Sequence, residues 1–360
     1  MIEGARNGEG LDMSLRPSRC GRAAPAGAAL ALLGAVAAAP AAASASTVST
    51  APVRGAREAK VAFKISDPRI TESSGLAAST RHPGIVYTHN DSGGVAKIFA
   101  LGPQGGVRAV LTLAGAGARD WEGMALGKDD AGRPAIYVAD IGDNLGGAWP
   151  HVTLYRIPEP AELRSQTIPA TAFKLKYTDG PRNAETVMIN PRTNRLYVAS
   201  KLFSGAVYEA PARLRTGGFN VLRKVGSAPA MATDGAFAPD GSTCVIRTYF
   251  GARLYSVKPD GSPGKRLRSV SFPFQSQGES VTYTADGGSL LAGSEGRDQA
   301  VYQVPVPGRE NPSASPSAKA EKKDDNAEEG HNDPTNTRAG LFLALAIAGA
   351  VGYGLLRRRR

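Results

Sequence analysis

Between residues 60 and 305 the chain alternates short apolar runs with polar turns, and the runs recur in a fixed order. Five segments end in an apolar–aromatic pair: Ile98-Phe99, Leu154-Tyr155, Val207-Tyr208, Leu254-Tyr255 and Val301-Tyr302. Their aromatic positions lie 56, 53, 47 and 47 residues apart. A second apolar run precedes each pair, at 85–87, 136–138, 196–198, 244–246 and 290–292. A third precedes that one, at 75–77, 123–125, 186–188, 235–237 and 280–282. Turn signals such as Pro239-Asp240-Gly241 and Asp286-Gly287-Gly288 separate the third run from the second. A fourth, alternating strand follows the pair at 107–113, 172–177, 220–225 and 266–272.

Each unit therefore reads as four short strands, A to D. Four strands at a period near 50 residues predict an all-β propeller of five blades, and the long interval 124–185 leaves room for a sixth. The fifth unit has no D strand of its own. Residues 60–65 (Lys-Val-Ala-Phe-Lys-Ile) alternate like one and precede the first A strand, so they are expected to close the ring and cover an open sheet edge.

Outside the repeat the pattern changes. Arg16, Arg19 and Arg22 precede an uncharged Ala/Leu/Gly/Val run over 23–39, and Ala43-Ser44-Ala45 follows. That order predicts a signal peptide over 1–45, with Met13 as the better start; the alternative is a membrane-spanning first helix. Residues 46–59 form a linker before a propeller domain at 60–307. Residues 308–338 contain Ala as their one apolar type and no aromatics, as a disordered stalk would. Residues 339–356 are 18 uncharged, mostly apolar positions followed by four arginines at 357–360. This predicts one transmembrane helix with a cytoplasmic Arg tail and the propeller outside. The net charge of +11 suits a small anionic ligand or a cell-wall polymer. No basic stripe is interleaved with aromatics, which argues against nucleic acid. Cys244 lies in an apolar run and is expected in the core.

Strand order then indicates where chemistry can gather. In an A-B-C-D meander the start of A and the end of B share a face, and the A strands line the central channel. The residues opening the A strands are Ser74, Glu122, Glu185, Asp234 and Glu279, and four of these five are acids. Carboxylates converging on one axis must be protonated, paired with cations or bound to metal. Oxygen donors suit Ca²⁺ or Mg²⁺. The ends of B strands add Asp91, Asp140, Asp143 and Asn144 as further candidate oxygen donors, while Lys201, Arg247, Arg297 and Arg182 are candidates to hold an anion. His89 and Asp143 are the candidate bases. The bland alternative is that the acids bond backbone N–H groups or pair with these cations.

Asp120-Trp121-Glu122-Gly123-Met124-Ala125, Asn90-Asp91-Ser92-Gly93-Gly94 and Asp140-Ile141-Gly142-Asp143-Asn144 together resemble secreted bacterial propellers of the phytase-like, esterase-like group. The acidic mouth is more distantly similar to calcium-dependent lactonases of the gluconolactonase and regucalcin group. The resemblance implies a divalent metal at the channel mouth, with Glu122 as the leading ligand and Asp91, Asp143 and Glu185 next, and ester or phosphoester substrates. Three functions stay open at this point: a binding propeller holding metal and a small or anionic ligand, a metal-dependent phosphoester or lactone hydrolase, and a protein-interaction module.

Overall fold

The structure, a computed structural model, describes residues 59–309. The expected signal peptide, the anchoring helix with its Arg tail and nearly all of the linker and stalk lie outside the described residues. Among the described residues the ordered elements are strands. Blade one comprises β2 (Ser73–Ala78), β3 (Val86–Asn90), β4 (Lys97–Leu101) and β5 (Val107–Ala114). Blade two comprises β6 (Trp121–Lys128), β7 (Pro134–Asp140), β8 (Val152–Pro158) and β10 (Thr171–Tyr177), with the short β9 (Gln166–Pro169) inserted. Blade three is β11 (Ala184–Ile189), β12 (Leu196–Ser200), β13 (Ala206–Glu209) and β14 (Phe219–Ser227). Blade four is β15 (Ala232–Phe237), β16 (Thr243–Thr248), β17 (Gly251–Val257) and β18 (Pro263–Val270). Blade five is β19 (Val281–Tyr283), β20 (Ser289–Ala292), β21 (Gln299–Pro305) and, in fourth place, β1 (Lys60–Ile65).

Within each blade the strands pair antiparallel as a meander, and β1 pairs β21 so that the N-terminal strand completes the last blade. The inner strands β2, β6, β11, β15 and β19 each touch the next, and β19 returns to β2. The arrangement is propeller-like. Five apolar clusters fill the spaces between neighbouring blades, one per interface. Burial follows from position. The inner β11 is buried at every residue, whereas β10 alternates buried and exposed because one face of an outer strand meets water. Inner strands must approach closely, which is why Gly123 is needed: a Cβ there would lie 2.6 Å from the Val187 nitrogen. Cys244 is fully buried between blades three and four, and burial pushes its thiol up to about 12.

The long interval after β6 does not hold a further blade. It supplies β9, which runs parallel to β5 of blade one, and β10, which runs parallel to β14 of blade three. The outer edges of blades one to three are thereby tied together, and blades two and three become one eight-stranded sheet.

Candidate functional site

The residues opening the A strands sit at irregularities in the ladder. The A–B register shifts between Ser73 and Gly75, Trp121 and Met124, Ala184 and Thr186, and Ala232 and Gly235. Ser74, Glu122, Glu185 and Asp234 lie inside those four intervals. A bulge re-aims a side chain that a regular pleat would send elsewhere, so the local irregularity is what turns these groups toward one mouth. Glu279 enters from the residues just before β19.

Blades one and two bring three carboxylates together. The Trp121 N–H donates to the Asp91 carbonyl at 2.9 Å, and Ser92 bridges Asp120, so the end of β3 is laid against the start of β6. One ligand oxygen each from Asp91, Asp120 and Glu122 then lies within 4.8 Å of the others. Gly142 makes room: a Cβ there would sit 2.3 Å from Asp120 Oδ2 and 2.6 Å from Glu122 Oε1. Asp140 positions this group rather than joining it. It accepts the backbone N–H of Asp120 at 3.2 Å and pairs with Arg119 at 3.1 Å. Burial is the largest cause raising all three carboxyls. Neighbouring acids add to it: Glu295 and Asp120 at Asp91, and Glu185 and Asp91 at Glu122. Asp91 Oδ1 is buried without a hydrogen-bond partner. An all-carboxylate donor set with an unmatched buried oxygen fits a hard cation such as Ca²⁺ or Mg²⁺.

The acids of blades three and four have partners. Glu185 bonds the Lys201 ammonium, leaving its Oε2 without one. Burial opposes the Lys201 charge, but Glu185 and Glu279 outweigh it and hold the ammonium well above its ordinary pKa. Lys201 also stands 4.9 Å from the centre of the Tyr249 ring. Asp234 Oδ2 accepts the Val281 N–H at 2.8 Å, and burial raises its carboxyl. Glu279 is raised by burial too, with Lys201 and Arg247 opposing.

Blade five adds a carboxylate that sequence reasoning missed. Glu295 follows β20, accepts Ser74 Oγ–H at 2.5 Å and is bonded by the Gln277 amide. Burial, then Glu279, pushes its carboxyl up to about 7, although the Ser74 bond works the other way. The one A strand that opens on serine thus borrows an acid from its neighbour. Asp120 was the other omission. It lies two residues before Glu122, a spacing that puts both on one side of an extended chain.

The remaining predicted site residues have partners of their own in this geometry. His89 is fully buried beside Trp121, its ring 5.7 Å away edge-on, and burial pulls it down to about 4. It packs at the first blade interface, its Nδ1 donating to the Asn90 carbonyl at 3.0 Å and its Nε2 buried without a hydrogen-bond partner. Asp143 Oδ2 accepts the Trp149 N–H at 3.0 Å, and Asn144 accepts from Asn183 at 3.1 Å, so both brace the loop after β7. The four candidate anion-binding cations do not converge. Arg182 pairs with Asp179 at 2.8 Å and stacks near Tyr208. Arg247 is buried, donates to the Ser280 carbonyl at 2.8 Å and to Gln275 at 2.6 Å, and burial pulls it down to about 10. Arg297 lies in an exposed turn, and Lys201 serves Glu185.

No family model matches the chain, and no curated protein matches it. Among solved structures it is similar to a gluconolactonase of Xanthomonas campestris, with 14% identity and a TM-score of 0.42 over 71% of this chain and 99% of that one. The propeller-like architecture described above rests on this chain's own strand pairings.

Proposed function

We propose that the protein is a five-bladed β-propeller, exported and held at the cell surface by its C-terminal apolar segment, whose channel mouth binds a divalent cation, Ca²⁺ before Mg²⁺. The observation that carries this reading is the Asp91–Asp120–Glu122 cluster: three carboxylates within 4.8 Å, mostly desolvated, with no basic side chain in salt contact among the described residues. Buried like charges repel, and a divalent ion answers that repulsion directly. Ca²⁺ is favoured because it accepts irregular oxygen shells, whereas Mg²⁺ demands near-octahedral geometry and keeps its water.

The test is calcium-dependent stability of the full chain. A ligand bound only by the folded state adds about 2.7 kcal/mol at a hundredfold excess over Kd. Ca²⁺ is expected to raise the melting temperature and chelator to lower it, and Glu122→Gln to remove the difference while the metal-free protein stays folded. No shift with any divalent ion would sink the reading. Protease treatment of intact cells tests the exported orientation.

One observation favours a second reading, a metal-dependent hydrolase of lactones or phosphoesters. Glu295 bears on Asp91 electrostatically and has its carboxyl near 7, where a group can both take and give a proton at neutral pH. A bound divalent ion would supply activation of water at this mouth. Hydrolysis of a lactone and phosphoester panel that Glu295→Gln abolishes, with Ca²⁺ binding kept, would establish it.

A further inference from the structure

Blades diverge outward from the channel, so an interface packed near the hub can open at the rim. Between blades three and four it does. Val207 and Tyr255 belong to the apolar cluster of that interface, with Val257 and Ala228 packed against it. Val207, Ala228 and Tyr255 also line a cleft of about 310 Å³. One wall of the cleft is the end of β14, and the other is β17, β18 and their turn.

The second wall is basic. Arg253 and Tyr255 stand two residues apart on β17 and so share a face. Arg266 of β18 pairs with Tyr255 across the ladder and shares that face too. Burial raises the Tyr255 hydroxyl, and Arg253 and, more weakly, Arg266 oppose it, so both guanidinium groups act on one phenol. Lys258 lines the cleft from the turn, its stem beside Gly264, where a Cβ would lie 3.3 Å from Lys258 Cγ. No lining residue of the cleft is an acid. Among the described residues none of the three cations forms an ion pair. Asp260 lies in the same turn, but Ser262 holds its carboxylate with the backbone N–H at 2.9 Å and the hydroxyl at 2.7 Å.

Charge and size select the occupant. Three uncompensated cations exceed what a single carboxylate neutralises. A phosphomonoester brings about −1.5 to −2 at neutral pH and three strong acceptor oxygens, which match the forked donors of arginine. The volume lies at the lower end of sites that hold small organic molecules, roughly 300–1,000 Å³.

We propose that the cleft between blades three and four binds a small phosphomonoester, with Arg253, Arg266 and Lys258 on the phosphoryl oxygens and the organic part laid against Val207 and Gly226. The site is separate from the carboxylate mouth and does not depend on the metal reading.

Gly226 offers a way to close the cleft without removing a charge. It pairs with Val207 across β13 and β14, so a side chain there projects toward blade four as Val207 does. A Cβ at Gly226 meets nothing within 4 Å, and its backbone is not left-handed. The test titrates glucose 6-phosphate calorimetrically into the full chain. Binding is expected, with glucose and glucuronate weaker by about tenfold or more. Arg253→Gln and Arg266→Gln should each weaken it about tenfold or more, because each removes a charge-assisted hydrogen bond. Gly226→Leu should weaken it as much with every cation kept. The triple variant Lys60→Gln, Lys64→Gln, Arg108→Gln removes charge from β1 and β5 instead and should bind as the parent does. Melting temperatures establish that each variant is folded, and Arg266→Gln, at an exposed position, carries the test if Gly226→Leu does not fold. No binding at millimolar concentration, equal binding of glucuronate, an equal loss in the β1 and β5 variant, or undiminished binding by folded Gly226→Leu or Arg266→Gln overturns the proposal.

Discussion

In blades one and two, Asp91, Asp120 and Glu122 face one another with no basic group in salt contact among the described residues; in blades three to five, Glu185 is held by Lys201, Asp234 by the Val281 N–H and Glu279 by the neighbourhood of Lys201 and Arg247. Both halves draw acids from the same place in the repeat, the opening of an inner strand. Their chemistry differs because of what the following loops deliver. The loop after β12 brings a lysine and β16 an arginine, so the acids there are neutralised from within. The loop after β3 brings a third carboxylate instead. One half sets its acids against cations or a backbone N–H, with Glu185 Oε2 and Asp234 Oδ1 left without a hydrogen bond, and the other sets three carboxylates against one another with only the more distant charges of Arg119 and Lys201 opposing them, a repulsion an ion can relieve.

Breaking the cation-paired half should therefore cost more stability than touching the other in the absence of metal. Lys201→Met leaves Glu185 buried among acids without its counter-charge. Removing one partner of a buried pair costs about 3–5 kcal/mol, and urea unfolding of the metal-free protein should show a loss of that size. The double variant Lys201→Met, Glu185→Gln should recover most of it. A single variant within about 1 kcal/mol of the parent would mean that the two halves do not differ in the way described.

The pH dependence of stability sharpens the contrast. Glu295 has its carboxyl raised to about 7 from an ordinary 4.5. A raised carboxyl favours folding in its neutral form, so its contribution is complete below pH about 4.5 and is lost as pH climbs through 7. Each tenfold change in acidity is worth about 1.4 kcal/mol, so this contribution amounts to about 3 kcal/mol. Asp91 and Glu122 are raised in the same sense. Metal-free protein should consequently lose stability between about pH 4.5 and pH 8. Saturating Ca²⁺ should flatten that fall, because the metal stabilises the ionised carboxylates. Glu295→Gln should remove part of the slope. A metal-free stability that rises over this window would contradict the desolvated arrangement of the mouth.

How much of this could be seen in the sequence varies by level. The strand pattern is legible where inner strands are buried on both faces and outer strands on one, because the two burial schemes write different periodicities, as in β11 and β10. The ring of acids is legible because it repeats with the blades. The pairing of those acids is not, because it depends on which loop side chains reach inward. Lys201 and Arg297 look equivalent at the ends of B strands, yet one is a buried counter-ion and the other an exposed turn residue. His89 misleads for a related reason. A histidine at a strand end reads as reactive, and only packing against Trp121 shows that it is held neutral by burial. The parallel strand β9 escapes notice because four residues are too short to write a period.

The smallest expected effect concerns the seam where the halves meet. Ser74 is the one residue of the ring that is not an acid, and its hydroxyl donates to Glu295 Oε1 across the closure of blades five and one. Ser74→Ala removes one hydrogen bond to a charged or partly charged acceptor, and the Gln277 amide keeps the other oxygen satisfied. The cost should be about 1–2 kcal/mol, at the low end for such bonds because Glu295 can take a proton instead. That escape is itself measurable. The Ser74 bond works to lower the Glu295 pKa, so losing it should move the carboxyl further up, and the stability loss should be larger at about pH 8 than at about pH 5. A loss equal at both pH values would mean that Glu295 does not titrate in this window, and the near-neutral acid at the mouth would have to be abandoned along with the hydrolase reading that depends on it.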